Sequence, residues 1–407
     1  MTSSSFGASA AETRGGADTF PTWPEYAEDE IGAVAEVLRS GRVNYWTGED
    51  VGRFEREFAS EIGISRAIAL ANGTVSLELA LEALGVGSGD EVITTPRTFI
   101  ASASCAVMRG ARPVFADVDL QSQNVTAETI ERVISPRTSA IVVVHHAGWP
   151  CEMSAILELA SARRISVIED CAQASGASYK GRPVGVFGAF GSFSYCQDKI
   201  MSTGGEGGML VTDREELWSR AWSFKDHGKS FDAMSRKADG PAFKWVHESF
   251  GTNWRMTGMQ AAIGRVQLRK LSGWVDCRRR NAAALIEGLR DIDSLRIPVP
   301  PAHVRHAYYK FYAFLDTSRL RQGWSRDGVI AEIRARGVPC FSGSCPEVYL
   351  ERAFARNGYE SPARLENART LGDSSLMLLV HPTLQARHIA RTVEVVRDVL
   401  KAATTNR

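Results

Sequence analysis

The sequence predicts an α/β fold: a mostly parallel sheet covered by helices on both faces, followed by a smaller C-terminal α+β lobe. Three observations predict it. Short apolar runs, each suited to a buried strand, recur at Val92-Ile93, Pro113–Ala116, Ala140–Val144 and Ile165–Ile168. Stretches with helical character separate them, at Phe99–Met108, Ala127–Ile134 and Met153–Arg163. Strands that alternate with helices pair in parallel, because each crossover returns the chain to the same edge. The chain has 407 residues, beyond the size at which one core usually keeps growing, so two lobes are expected.

The elements follow in order. Met1 to Phe20 is rich in Ser, Ala, Gly and Thr. It lacks the basic start and apolar centre of a secretory leader, and reads as a mobile tail. Glu28–Gly41 is a helix, with Ile31, Val34, Val37 and Leu38 on one face and Gly41 as its stop. A second helix follows Asn72-Gly73-Thr74, carries Leu77, Leu79, Ala80, Leu81 and Leu84, and ends at Gly85. After the four apolar runs the pattern changes at Phe190. Two close strands, Gly191–Cys196 and Gly208–Thr212, frame a glycine-rich loop that contains Lys199. Asp226 to Ser249 is polar and irregular, a flap or interface loop. Thr257–Leu271 is a long helix, a new start follows Arg278-Arg279-Arg280, and Tyr308–Leu315 is a strand. These divisions give a tail at 1–22, a large domain at 23–275 and a small C-terminal domain at 276–407.

Composition narrows the function. A formal net charge of +1 excludes a nucleic-acid role built on phosphate neutralisation. No apolar run is long enough to span a bilayer. The seven cysteines are scattered without a Cys-x-x-Cys pair, so they read as reduced thiols of a cytoplasmic protein. Cys340 and Cys345 have no accompanying histidine pattern, and no metal site is expected.

In parallel α/β sheets, ligands gather at strand C-terminal ends and helix N-terminal ends. Lys199 lies between a strand end and the glycines Gly204–Gly208, a place that could hold an amine against an aldehyde cofactor, or simply carry a surface lysine in a turn. Asn72-Gly73-Thr74 offers unpaired N–H groups and a hydroxyl to a phosphate; a Thr N-cap needs no ligand. Asp170, at the end of the Ile165–Ile168 run, could pair with a protonated ring nitrogen, with Gln173 beside a ring oxygen; a strand-end Asp also caps turns. Phe99 could stack on a flat ring or fill the core. Asn253 and Arg255 are donors suited to an anion, or members of a polar loop. Lys225, His227, Lys229, Arg255, Tyr309 and Lys310 are candidates for a diphosphate, each equally readable as a solvated surface group. His145-His146 could flank the pocket or be satisfied at a strand end, and Glu206 shapes the glycine turn.

Four segments, Ala71–Leu77, Glu169–Ala174, Phe193–Tyr195 with Lys199 and Gly204–Gly208, and Asn253–Met256 with Gln260–Gly264, together resemble the PLP-dependent sugar aminotransferases. This is the DegT/DnrJ/EryC1/StrS family of the aspartate aminotransferase fold (fold type I), whose large domain has three layers. The resemblance covers nearly all of the chain after about Phe20. It implies that Lys199 forms a Schiff base with pyridoxal 5'-phosphate (PLP), that Asp170 pairs with the ring nitrogen, and that Gln173 lies by the ring oxygen. Phe99 then stands against the ring, and Gly73, Thr74 and Ser194 cradle the phosphate. Asn253 reaches the phosphate of a second subunit, which implies a homodimer with shared sites. The implied reaction moves an amino group from an amino acid, L-glutamate, to a nucleotide-linked 4-keto sugar, with pyridoxamine 5'-phosphate as the intermediate cofactor form. His227, Arg255 and Tyr309 are the expected substrate contacts. Deoxyamino-sugar biosynthesis for a glycosylated natural product such as an antibiotic is the expected setting.

Two departures from the family pattern stand out. The lysine is preceded by Cys196-Gln-Asp198, where the family often has Pro-x-Lys or Gly-Asn-Lys. Gly337–Cys345 replaces a tyrosine-rich segment, which leaves the sugar side open. The alternatives are a cyclitol aminotransferase acting on a keto-inositol, a PLP-dependent sugar dehydratase, or a non-catalytic regulator; retention of Lys199 favours amino transfer.

Overall fold

A computed structural model describes residues 19–235, 244–359, 361 and 363–405. Seven strands form the main sheet: β1 (Arg66–Leu70), β2 (Glu91–Thr94), β3 (Arg112–Phe115), β4 (Thr138–Val144), β5 (Ser166–Asp170), β6 (Phe190–Ser194) and β7 (Gly208–Thr212). Their order is β1-β7-β6-β5-β4-β2-β3. From β6 to β3 every pair is parallel, and β7 runs antiparallel to both β6 and β1. Ile141, Val142 and Val143 of β4 are fully buried. A parallel strand covered on both faces must be apolar without alternation, which is why these strands are continuous apolar runs.

All four expected parallel strands form, within a few residues of the apolar runs. The helix Met153–Arg163 has the expected bounds, while the preceding ones are shorter, at Ala101–Met108 and Ala127–Glu131. The helix Asp50–Ile62 and strand β1 are additions to the sequence reading. Phe54 and Phe58 of that helix pack on Phe193 and Tyr195, beneath the strand that leads to Lys199.

The long helix differs most. It spans Gly258–Leu289, 32 residues, opened by Thr257 and Gln260 in a reciprocal cap. The expected new start after Arg278–Arg280 is absent: the helix runs through it and through residue 275. The reason is packing. Ala261, Leu268, Leu271 and Val275 sit in the core under the main sheet, and Ala282, Leu285 and Leu289 in the C-terminal core. Arg278 is buried between them and donates to the Tyr309 carbonyl at 3.1 Å. The C-terminal core is built on a four-stranded antiparallel sheet of Leu295–Arg296, Phe311–Leu315, Ser375–Leu378 and Cys340–Phe341, in that order.

Of the expected tail, residues 1–18 lie outside the described residues. Phe20 packs on the C-terminal core, and the Thr22 carbonyl accepts from Thr383 Oγ1. Within the polar Asp226–Ser249 stretch, Phe231–Ser235 is a short helix and residues 236–243 lie outside the described residues. All seven cysteines are free. Among the described residues no helix is long and apolar enough to cross a membrane.

Candidate active site

Asp170 ends β5, at the edge of the sheet where the parallel strands terminate. It is 4% exposed. Its Oδ1 accepts from Ala172 N at 3.1 Å and its Oδ2 from Ser102 Oγ at 2.7 Å. Ser102 lies 2.8 Å from Thr98 Oγ1. With Asp170 ionised, the Ser102 proton is committed to the carboxylate, so Thr98 is the donor in that pair. Burial pushes the Asp170 carboxyl above its ordinary value, while Ser102, Ala172 N–H and the Lys199 charge pull it back. A buried carboxylate held in this way is relieved by one more cation.

Two neighbours fix the turns around it. Glu169 is fully buried and accepts from the N–H groups of Gly185, Phe187 and Gly188 at 2.7–2.8 Å. His145 Nε2 lies 3.1 Å from Glu169 Oε2, and His145 Nδ1 accepts from Cys151 N. The Nδ1 lone pair being used, Nε2 carries the proton and donates to Glu169. Cys171 lies close to both residues, but their lone pairs are already engaged, and the group serves as an internal brace. Gln173 Oε1 accepts from Ala147 N at 2.7 Å, which leaves the carboxamide NH2 as the available donor.

The expected phosphate contacts meet where β6 and β7 pack on a helix start. Asn72, not Thr74, caps the helix Gly73–Ala83, by accepting from Val75 N at 3.0 Å. Gly73 and Thr74 are thus the first two helical residues, whose N–H groups have no intrahelical acceptor. A Cβ on Gly73 would lie 2.6 Å from Ser194 Cβ, and one on Gly208 would lie 2.3 Å from the Asn72 carbonyl oxygen. Only glycine at both positions lets the helix start sit directly against Ser194.

Lys199 follows β6 by five residues. Its carbonyl accepts from Trp23 Nε1 at 2.7 Å, and its N–H donates to the Cys196 carbonyl at 3.1 Å. The side chain is 16% exposed, with Nζ 3.9 Å from Asp198 Oδ1 and 5.0 Å from the Tyr309 ring centroid. The Tyr309 hydroxyl donates to Asp198. Burial pushes the Asp198 carboxyl up, but the charges of Lys199 and Lys310 and the Tyr309 hydroxyl outweigh it and hold it below its ordinary value. Burial brings the Lys310 amine down to about 8. Glu206 closes the loop through its backbone: its carbonyl accepts from Thr203 Oγ1 and Gln260 Nε2.

Asp170 and Ser194 end β5 and β6, Gly73, Thr74, Gln173 and Lys199 follow the ends of β1, β5 and β6 at the same edge, and Tyr309, in the loop before Phe311, is tied to it by its N–H on the Ala147 carbonyl at 2.8 Å. Phe99 is 51% exposed, which rules out its reading as a core residue; it follows Thr98, which reaches Asp170 through Ser102. Asn253, His227 and Arg255 form a separate group. Leu70, at the end of β1, bridges Arg255, and Asp226 bridges Asn253. Asn253 and His227 are exposed. The Arg255 guanidinium is engaged by buried Asp226 at 2.6 Å, so an ion pair within the chain competes with its expected substrate contact. Lys229 pairs with the same carboxylate. Lys225 is buried, its amine 3.6 Å from the Tyr45 ring centroid, and is not a surface group. Ser102 is the site residue that sequence reasoning missed.

The model of the DegT/DnrJ/EryC1/StrS aminotransferase family matches residues 24–397. The chain belongs to that family. Its members are PLP-dependent sugar aminotransferases of fold type I. An aminotransferase from Psychrobacter cryohalolentis, solved by X-ray methods, is 50% identical, covers 94% of this chain and 99% of its own, and superposes with a TM-score of 0.92. TlmJ, an aminotransferase from Streptoalloteichus hindustanus, is 33% identical over 93% of this chain and 98% of its own, with a TM-score of 0.83. A protein of Acidithiobacillus ferrooxidans, named as a UDP-N-acetyl-3-dehydro-alpha-D-glucosamine 3-aminotransferase, is 36% identical over 85% of this chain and 87% of its own. The donor set fits the family's cofactor: a helix start and two hydroxyls for a phosphate, a buried carboxylate short of a cation for a protonated ring nitrogen, and a lysine at the same edge.

Proposed function

We propose that this enzyme moves an amino group from L-glutamate to a nucleotide-linked keto sugar, with a 4-keto sugar as the acceptor. The observation that carries this reading is the convergence of Lys199 and Asp170, beside the Gly73–Ser194 cradle, at one edge of the sheet. In this reading Gly73, Thr74 and Ser194 hold the PLP phosphate, Phe99 covers the ring, Gln173 donates to the ring oxygen, and Asp170 keeps the ring nitrogen protonated. PLP, when bound, supplies an electron-poor ring that takes up the electron pair left behind when a carbon loses its proton. Lys199 Nζ would carry the proton from the donor's α-carbon to the cofactor's C4′ carbon in the first half-reaction, and from C4′ to the acceptor's former carbonyl carbon in the second. Tyr309 and Asp198 hold the lysine side chain toward that edge, and exposed His227 and the partly buried Lys310 beside Tyr309 are the contacts for the acceptor's diphosphate. The seven free cysteines fit a reducing, cytoplasmic compartment.

A 3-keto sugar nucleotide is the second reading, favoured by the name of the Acidithiobacillus relative. The purified enzyme is incubated with glutamate and, separately, with 4-keto and 3-keto nucleotide sugars and a keto-inositol, and the amine product is measured by mass spectrometry. Amination of a keto sugar nucleotide is expected. Amination of the keto-inositol alone, or loss of water in place of gain of nitrogen, would overturn the assignment.

We also infer a homodimer in which exposed Asn253 reaches the phosphate of the second subunit's site. Asn253→Ala is expected to weaken PLP retention by about tenfold, the scale of one lost hydrogen bond to a charged group. Gel filtration and dialysis against PLP-free buffer check this, and a fully active monomer would refute it.

A further inference from the structure

Among the described residues, a buried positive charge without a counter-charge lies between the main sheet and the C-terminal sheet. Arg97, in the turn after β2, has no exposed surface. Its Nε donates to Gln123 Oε1 at 2.9 Å. Neither Nη1 nor Nη2 has a hydrogen-bond partner among the described residues. A guanidinium does not shed its proton in a protein, so leaving it dry and unpaired is strongly unfavourable.

A second unpartnered group faces the same ring. The Arg97 guanidinium lies over Tyr312, 5.5 Å from the ring centroid, and His146 packs on Tyr312 at 5.4 Å. His146 is 1% exposed, and both of its ring nitrogens lack a partner among the described residues. Burial, then the nearby Arg97 charge, holds its pKa well below the usual histidine value, so it stays neutral and presents one N–H. The groups that act electrostatically on Arg97 are Tyr312, Arg326 and Cys345, and on His146 they are Arg97 and His306; no carboxylate is among them. Arg326 has its own partners, Asp327 and the carbonyls of Gly372 and Ser375. With its oxygen taken by Arg97, Gln123 has an NH2 left to donate.

We propose that Arg97, His146 and Gln123 hold a small monovalent anion of chloride size against Tyr312, between the two sheets. Two guanidinium N–H arms, an imidazole N–H and a carboxamide NH2 form a donor set without a competing acid. The anion would tie together the turn before Phe99, the turn after β4 and the C-terminal sheet.

The test uses the full-length protein with its cofactor, exchanged into gluconate buffer and titrated with chloride or bromide at constant ionic strength. Each halide is expected to raise the melting temperature saturably, by about 2 °C or more, as mass action requires of a ligand bound only by the folded state. Arg97→Met is expected to abolish the halide response, and His146→Leu to shift its midpoint at least about tenfold, the effect of one lost hydrogen bond. Wild-type crystals grown in bromide are expected to show an anomalous peak within hydrogen-bonding reach of Arg97 Nη1 and Nη2, which keeps the test open if a variant fails to fold. Water alone at that position with no halide-specific shift, or an unchanged response in Arg97→Met, would overturn the proposal.

Discussion

Lys199→Ala is expected to lower amino transfer by at least about 10^4-fold, because one nitrogen serves both as covalent anchor and as proton carrier. The long-wavelength absorbance of lysine-bound PLP is expected to vanish with it. The loss should be chemical and not structural. The two backbone bonds of Lys199, to Trp23 Nε1 and the Cys196 carbonyl, do not need the side chain, and the lysine is only partly buried. The melting temperature of the cofactor-free variant should therefore stay within a few degrees of wild type. Steady-state rates, an absorbance spectrum and a thermal melt decide the matter; turnover and absorbance that both survive would remove Lys199 from the mechanism.

Asp170→Asn isolates charge from shape. The asparagine oxygen can keep the bond from Ala172 N–H, and its NH2 then donates to Ser102 Oγ, which turns its own proton to Thr98, so the side chain keeps its place. A neutral amide cannot hold a ring nitrogen protonated, and the rate is expected to fall about 10^2–10^3-fold, equivalent to roughly 3–4 kcal/mol of barrier. Stability should move the other way without cofactor. The folded Asp170 carboxyl is raised above its unfolded value. Its favourable contribution is therefore present below the unfolded value and is lost as pH rises through the folded one. At neutral pH the ionised, buried group costs stability, so cofactor-free Asp170→Asn should melt no lower than wild type. Adding PLP should stabilise wild type more than the variant. A near-wild-type rate in the variant would refute the electrostatic role.

Much of this was legible because the chemistry sits on regular elements. Asp170 and Lys199 could be placed because each follows an apolar run, and a parallel sheet delivers strand ends to one edge. Ser102 carried no such signal: it is a small residue within an alanine-rich helical stretch, and only its fold partner 68 residues away gives it meaning. Arg255 read as a free cation because its acid, Asp226, lies 29 residues upstream. Arg278 read as the end of one element before a new start, although it is 1% exposed and packed between two cores within one continuous helix. Local pattern reports which face is apolar, but pairing between distant polar groups depends on tertiary position.

The 32-residue rod from Gly258 to Leu289 spans about 48 Å at 1.5 Å per residue and has each end embedded in a different core. An unbroken helix resists sharp bending, so residue 275 is no ready-made hinge between the two cores. The shaft instead fixes the spacing of the two cores, and the irregular connection that leads into Phe311 is the less constrained path between them.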